Sequence, residues 1–137
     1  MIKKILFTFI FSIFLVLPAL ATQVELIDKN EDACLQKAVS TADMLKCTTI
    51  ANTAWDKEMN KYYNLLIKKL PTTQRTDLLK AQKAWLIFRD NDAGFVNSSI
   101  RDGKQGTMYI NIASGERREL VKQRAIQLRN YYQIISE

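Results

Sequence analysis

The chain has no histidine, and its 137 residues include only two cysteines, two prolines and four glycines. Without histidine it lacks the commonest general base of enzymes and the commonest metal ligand. The two cysteines stand 13 positions apart, a spacing that fits neither a zinc site nor a redox Cys-x-x-Cys motif. We therefore predict a non-enzymatic protein with no catalytic residues, no metal and no cofactor.

The first 21 residues are typical of an export signal. Lys3 and Lys4 precede a largely apolar run, Ile5–Leu17, and an Ala-Leu-Ala end follows. A membrane anchor is the alternative interpretation, but this run of 13 residues is short of the about 20 that a membrane-spanning helix needs. We predict a signal peptide at residues 1–21, one domain at residues 22–137, no transmembrane segment after cleavage, and a periplasmic or secreted location.

The net charge is +6, and removing Lys3 and Lys4 with the signal lowers it to +4. A mildly basic domain favours anionic partners such as lipopolysaccharide, phospholipid head groups or acidic glycans. No nucleic-acid recognition motif is present, and the exported compartment holds little nucleic acid. Nucleic acid is therefore not an expected partner.

Cys34 and Cys47 form an even pair, which in an oxidising compartment predicts a disulfide. One straight helix would hold them about 20 Å apart, farther than a disulfide spans. The chain must therefore reverse between them. We predict a short helix over Asp32–Ala38, a break at Val39-Ser40-Thr41, and a new helix that Thr41 caps.

The rest of the chain follows the helical period. Apolar residues recur at steps of three or four from Thr41 to Leu70, which predicts one long helix that Pro71 ends. A second helix is predicted from 72 to about 93, then an exposed loop over Asn97–Gly106, then a last helix starting between 107 and 116. The predicted fold is all-α, a small bundle of three main helices plus a short N-terminal helix joined by the disulfide.

Several motifs in the mature chain resemble the lysozyme-inhibitor LprI-like family of small exported helical domains. They are Cys34, Thr41 to Met44 with Cys47, Trp55-Asp56-Lys57-Glu58-Met59-Asn60 with Tyr63, Leu79 to Asp90, and Val121 to Arg124 with Leu128. The resemblance implies a binding protein with lysozyme as its partner. Its motif residues here are Trp55, Asp56, Glu58, Asn60, Gln82, Trp85, Phe88, Arg89, Asp90 and Arg124.

These motif residues also have a structural interpretation. We expect the three large aromatic side chains, Trp55, Trp85 and Phe88, to pack in the core. We expect the charged motif residues to form arginine–carboxylate pairs between helices, since a planar guanidinium suits bidentate contact. Gln82 is expected to tie helices together. The charged residues in question are Asp56, Glu58, Arg89, Asp90 and Arg124.

Two binding hypotheses follow. The first is lysozyme inhibition; because the domain and many lysozymes are both basic, it would need a locally acidic surface, such as Glu25, Asp28, Glu31 and Asp32, or a protruding loop. The second is an envelope module that binds an anionic surface or a protein through the last helix and the loop. Its candidate residues are Lys104, Arg117, Arg118, Lys122 and Arg129. A merely solvated basic face is the alternative for these five residues.

Overall fold

A computed structural model describes the backbone of residues 21–137 and the side chains of residues 25–137. All but the last residue of the predicted export signal lies outside this part. The described chain contains four α-helices and no strand: α1 (Ala21–Leu35), α2 (Thr41–Lys69), α3 (Thr72–Val96) and α4 (Met108–Ser136). The predicted all-α bundle with one shorter N-terminal helix is therefore confirmed.

The chain reverses between α1 and α2, and a disulfide closes the reversal. Cys34 and Cys47 are bonded, with their Cα atoms 5.7 Å apart, as predicted. Helix α1 ends at Leu35 and starts well before Asp32, so the predicted bounds of this helix were wrong. Side chains on its inner face, Ile27 and Glu31, are buried in the bundle, and this burial accounts for the greater length.

Ser40, rather than the predicted Thr41, caps α2. The Asp43 N–H donates to the Ser40 hydroxyl over 3.1 Å, and the Ser40 N–H donates to the Asp43 carboxylate over 3.1 Å. This reciprocal pair is a capping box, which satisfies backbone donors that the first helical turn leaves unpaired. Hydrogen bonding from Ser40 also lowers the pKa of Asp43.

The core lies between α2 and α4, with α1 against them. Trp55, Met59, Leu66 and Leu128 are the largest fully buried side chains. The other buried side chains of the core are Ile27 from α1, together with Ala51, Tyr62, Val121 and Ala125. The prediction that Trp55 packs in the core is confirmed. Truncating a buried side chain of this size typically lowers the free energy of unfolding by about 3 kcal/mol or more.

Helix α3 packs more lightly than its neighbours. Only Gln82 and Val96 of this helix are buried. Phe88 is 53% exposed and Phe95 is 64% exposed, so the prediction that Phe88 packs in the core was wrong. Arg89 lies on the side that faces the bundle, and adjacent positions on a helix differ by roughly 100°, which turns Phe88 outward. Trp85 is half-buried.

The loop was predicted over Asn97–Gly106, but the observed loop begins five residues later. Asn97–Arg101 continue α3 as a π-helical turn, called the π-turn below. The Asp102 N–H donates to the Asn97 carbonyl over 2.9 Å. An irregular loop then covers residues 102–107, and α4 starts at Met108, inside the predicted range. Within residues 21–137 no helix combines the length and apolarity required to cross a membrane.

Candidate functional site

A cavity lies at the end of the bundle where α3 passes into the π-turn and α4 begins. It has a volume of about 280 Å³, and α2, α3, the π-turn and α4 all line it. Three guanidinium groups reach it, from Arg89, Arg101 and Arg117, together with one carboxylate, from Asp92. We call this the basic cavity. Its other walls are Leu45, Ala93, Val96, Asn97, Ile110, Ala113, Ser114 and Leu120.

The three arginines of the basic cavity are in different electrostatic states. Arg89 pairs with its neighbour Asp90 over 2.8 Å. Arg101 donates from Nε and Nη2 to the two oxygens of Asp102, over 2.8 and 3.1 Å. This bidentate pair raises the pKa of Arg101 and lowers the pKa of Asp102.

Arg117 is exposed and makes no ion pair or side-chain hydrogen bond with any residue in 25–137. It is therefore the cavity cation whose hydrogen-bonding capacity is unused in the described part of the chain. Five N–H donors in a fixed fork are available there to an anion.

A loop lies beside the cavity, and every residue from 101 to 108 is exposed. Two glycines fix its path. A Cβ on Gly103 would lie 2.6 Å from the Ser99 carbonyl oxygen, and Gly106 has φ +110°, a conformation that side chains disfavour. The Thr107 and Thr41 hydroxyls, 3.2 Å apart, join the loop's end to the start of α2. Side chains larger than glycine are therefore disfavoured at residues 103 and 106, and one contact joins the loop to α2.

Two residues of the predicted basic face of α4 form ion pairs with α1. Lys122 Nζ donates to Asp28 Oδ2 over 2.7 Å, and Arg118 Nε lies 3.4 Å from Glu31 Oε2. Arg118 also donates to Glu119 over 3.0 Å. Arg118 and Lys122 therefore join α4 to α1.

The two ion pairs between α1 and α4 differ in quality. The contact of Arg118 Nε with Glu31 Oε2 is an ion pair without hydrogen-bond geometry, because Nε makes no hydrogen bond, and the other carboxylate oxygen, Oε1, is unpaired as well. Burial raises the pKa of Glu31, and the positive charge of Arg118 opposes that rise only in part. The Asp28 pair is shorter and hydrogen-bonded.

The other predicted binding residues lie apart. Lys104 is on the exposed loop, next to Arg101 in a shallow depression that adjoins the basic cavity. Arg129 is half-buried farther along α4. The structure brings Arg117 and Lys104 to one end of the bundle, places Arg118 and Lys122 in ion pairs, and leaves Arg129 away from both groups.

The predicted arginine–carboxylate pairs between helices do not form among the charged motif residues. Asp56 accepts from Asn60 over 3.0 Å, and Glu58 pairs with Lys61 over 3.2 Å, in each case within α2. Asp90 pairs with the adjacent Arg89. Each carboxylate finds its partner on its own helix, because a cation or an amide donor lies one to four positions away in the sequence.

Arg124 is buried without a carboxylate. Its Nε donates to Gln82 Oε1 over 3.0 Å, and its Nη1 donates to Gln127 Oε1. The guanidinium also lies 5.8 Å from the centroid of the Trp85 ring. Burial lowers the pKa of Arg124, although an arginine stays protonated in a protein. Gln82 on α3 is thus joined to α4 by its hydrogen bond with Arg124.

The sequence did not indicate two features of this end of the bundle: the π-turn and the convergence of three arginines. The π-turn has no composition of its own, and Arg89, Arg101 and Arg117 are at least 12 positions apart. Among residues 25–137, no three histidine, cysteine or acidic side chains group in a way that could hold a metal ion. The chemistry of the basic cavity is that of anion recognition.

Comparison with known proteins places these observations in a family. The model of a family described as lysozyme inhibitor LprI matches residues 32–128. An uncharacterised protein of Rhizobium meliloti is 29% identical over 107 residues, which cover 69% of this chain and 75% of the relative. A crystal structure of an uncharacterised protein from Burkholderia thailandensis superposes with a TM-score of 0.74 at 29% identity, over 81% of this chain.

The chain spans only 55% of the length of that Burkholderia protein. The family match, in contrast, extends from α1 to α4 and takes in the disulfide, the basic cavity and the loop. The predicted resemblance is confirmed, and the chain belongs to the lysozyme inhibitor LprI family.

Proposed function

We propose that the protein is an exported inhibitor that binds a lysozyme without turning over a substrate, and so protects the cell's own peptidoglycan. Membership of the lysozyme inhibitor LprI family supports the choice of partner. The disulfide between Cys34 and Cys47 is typical of an oxidising, extracytoplasmic compartment, and it supports a periplasmic or secreted location.

The observation that carries the proposal is the fully exposed loop at residues 102–107, which the contact between Thr107 and Thr41 joins to the start of α2. A lysozyme cleft is concave and carries a pair of catalytic carboxylates. An exposed loop can enter such a cleft, and Lys104 on it is an exposed cation without an ion pair in the described chain. The contact of Thr107 with Thr41 would reduce the entropy that the loop loses on binding. Lys104 would pair with a catalytic carboxylate and block its proton transfer.

The ion pairs within the bundle favour the loop over the acidic N-terminal segment as the inhibitory surface. Asp28 and Glu31 are engaged by Lys122 and Arg118, and Glu25 lies 3.5 Å from Lys29. The predicted acidic surface is therefore largely neutralised. On the loop, Asp102 neutralises Arg101, so that the repulsion of a cationic enzyme is reduced where contact is made.

A lysis assay tests the proposal. Several lysozymes act on a peptidoglycan suspension with and without the purified mature protein, and the variant Lys104→Glu is compared with Lys57→Glu, an exposed position on α2 with the same charge change. We expect inhibition by the natural protein and by Lys57→Glu, and a loss of about tenfold or more for Lys104→Glu. Absence of inhibition for every lysozyme would overturn the function; equal inhibition by both variants would overturn the role of the loop.

A second candidate function is binding to an anionic component of the cell envelope. Arg117, which has no partner among residues 25–137, and the nearby loop lysine Lys104 favour it. Co-sedimentation with vesicles that contain anionic phospholipid should then fall on Arg117→Glu and weaken with added salt. Arg118 is not a suitable test position, because its substitution would also break the contact with Glu31. Vesicle binding that changes neither with added salt nor on Arg117→Glu would exclude this function.

A further inference from the structure

We propose that the basic cavity is a binding site for a small carboxylate with a short apolar body, such as an N-acylated amino acid. This proposal is independent of lysozyme inhibition, because it rests on the cavity rather than on the loop. Its basis is the juxtaposition of three guanidinium groups with apolar side chains in a concave space of about 280 Å³.

The polar side of the cavity is built to receive an anion. Arg117 has no partner among residues 25–137, whereas Arg89 and Arg101 each keep some donors after pairing with a neighbouring aspartate. A guanidinium forms two parallel hydrogen bonds with a carboxylate, which is a stronger contact than a neutral one. Asn97 and Ser114 add an amide and a hydroxyl that make no side-chain hydrogen bond in the described chain. These groups supply donors for both carboxylate oxygens.

The charge of the cavity favours a monoanion. Three arginines and one carboxylate, Asp92, line it, so its formal lining charge is +2. The two adjacent aspartates that pair with Arg89 and Arg101 reduce the effective field further. With Asp90 and Asp102 counted, the formal charge of the groups in and beside the cavity is zero, so a monoanionic carboxylate meets less repulsion from Asp92 than a dianionic phosphate does.

The rest of the cavity lining is largely apolar. Val96 and Ala113 in it are buried, and Leu45, Ile110 and Leu120 also line the space. Such side chains can contact methyl or methylene groups but offer no hydrogen bond to a fully polar ion. The volume is at the small end of the range for ligand sites in proteins, which limits the ligand to a few carbon atoms beyond its carboxylate.

Isothermal titration calorimetry on the disulfide-bonded mature protein tests the site. The probes are N-acetylalanine, in both enantiomers, its neutral amide, and inorganic phosphate. We expect saturable binding of at least one N-acetylalanine enantiomer, weaker binding with added salt, and no saturable binding of the amide. Binding of phosphate in preference to N-acetylalanine would overturn the carboxylate assignment, and absence of saturable binding of both would overturn the site.

Variants separate the site from general electrostatic attraction. Arg117→Gln should weaken N-acetylalanine binding by about tenfold or more, since one charge-assisted contact is lost. Lys57→Gln removes the same charge from an exposed position on α2 and should leave binding unchanged. Ser114→Leu fills the cavity without changing its charge and should also abolish binding. Equal losses for Arg117→Gln and Lys57→Gln, or unaltered binding by Ser114→Leu, would show that the probe does not occupy the cavity.

Both cavity variants are readily checked for folding. Arg117 is exposed and Ser114 is half-buried, so neither substitution removes a core side chain. The lysis assay gives a separate readout: if Arg117→Gln loses the probe but keeps lysozyme inhibition, the cavity and the loop act independently. If lysozyme inhibition is absent in every variant but the probe still binds, the cavity assignment stands without the proposed function.

Discussion

The hydrogen bond between Gln82 and Arg124 offers a measurable test of how the bundle holds a buried cation. Arg124 is 9% exposed and Gln82 is 7% exposed, and the bond joins α3 to α4 over 3.0 Å. No carboxylate compensates the charge within the described chain; the amide oxygens of Gln82 and Gln127 receive its donors instead. Removing one partner should therefore cost more than removing both.

The expected magnitudes follow from which polar groups each variant leaves unpaired. Gln82→Leu deprives a buried, charged donor of its partner, which should lower the free energy of unfolding by about 3 kcal/mol. Arg124→Met removes the charge and its desolvation cost but leaves the Gln82 oxygen unpaired, at a cost of about 1–2 kcal/mol. The double variant leaves neither group, so its loss should be about 1 kcal/mol or less.

Urea denaturation of the four proteins, followed by the fluorescence of Trp55 and Trp85, measures these free energies. The double variant should be more stable than the sum of the single losses predicts, by about 3–4 kcal/mol. Gln127→Leu is the control, because Gln127 is exposed and water can replace it; its loss should stay within about 0.5 kcal/mol. Simple additivity of the two single losses would refute the reasoning.

Three further predictions concern the α1–α2 hairpin. Because burial raises the pKa of Glu31 above its ordinary value of 4.5, the folded chain binds more protons than the unfolded chain, and the natural protein should lose stability relative to Glu31→Gln as pH rises from 4.5 through the raised pKa. Urea unfolding at pH 4.5 and at neutral pH measures this difference, and the opposite trend would contradict it. Replacing both Cys34 and Cys47 by alanine should lower the free energy of unfolding by about 3 kcal/mol, measured by chemical denaturation; an unchanged midpoint would show that the staple adds nothing. Ser40→Ala should cost about 1 kcal/mol through loss of the cap, while Ser98→Ala, an exposed serine on the π-turn, should cost less in the same assay.

Much of the fold could be predicted from the sequence, because α2 and α4 each place apolar residues on one face. Pro71 marks the boundary between α2 and α3, and the two cysteines require the reversal at residue 40. Helix α3 was harder, since Phe88 and Phe95 are apolar residues on a side that does not face the bundle. Periodicity shows that a helix has an apolar stripe; it does not show which of two stripes is covered.

The candidate site was predictable only in part. Arg117 and Lys104 were among the predicted binding residues, and the structure places both near the basic cavity. Whether a basic residue is free or paired depends on partners that are distant in sequence; Lys122 and Asp28 are 94 positions apart. The π-turn was not predictable either, because no local sequence signal distinguishes it from an exposed loop.

The light packing of α3 has a consequence for how the molecule moves. With Gln82 and Val96 as its only buried residues, this helix should detach from α2 and α4 at a lower free energy than global unfolding requires. Its backbone amides would then exchange with deuterated solvent earlier than those of α2. Arg89 belongs to α3 and Arg117 to α4, so each detachment separates two walls of the basic cavity. An anion that bridges those walls would slow the isotope exchange of the whole helix.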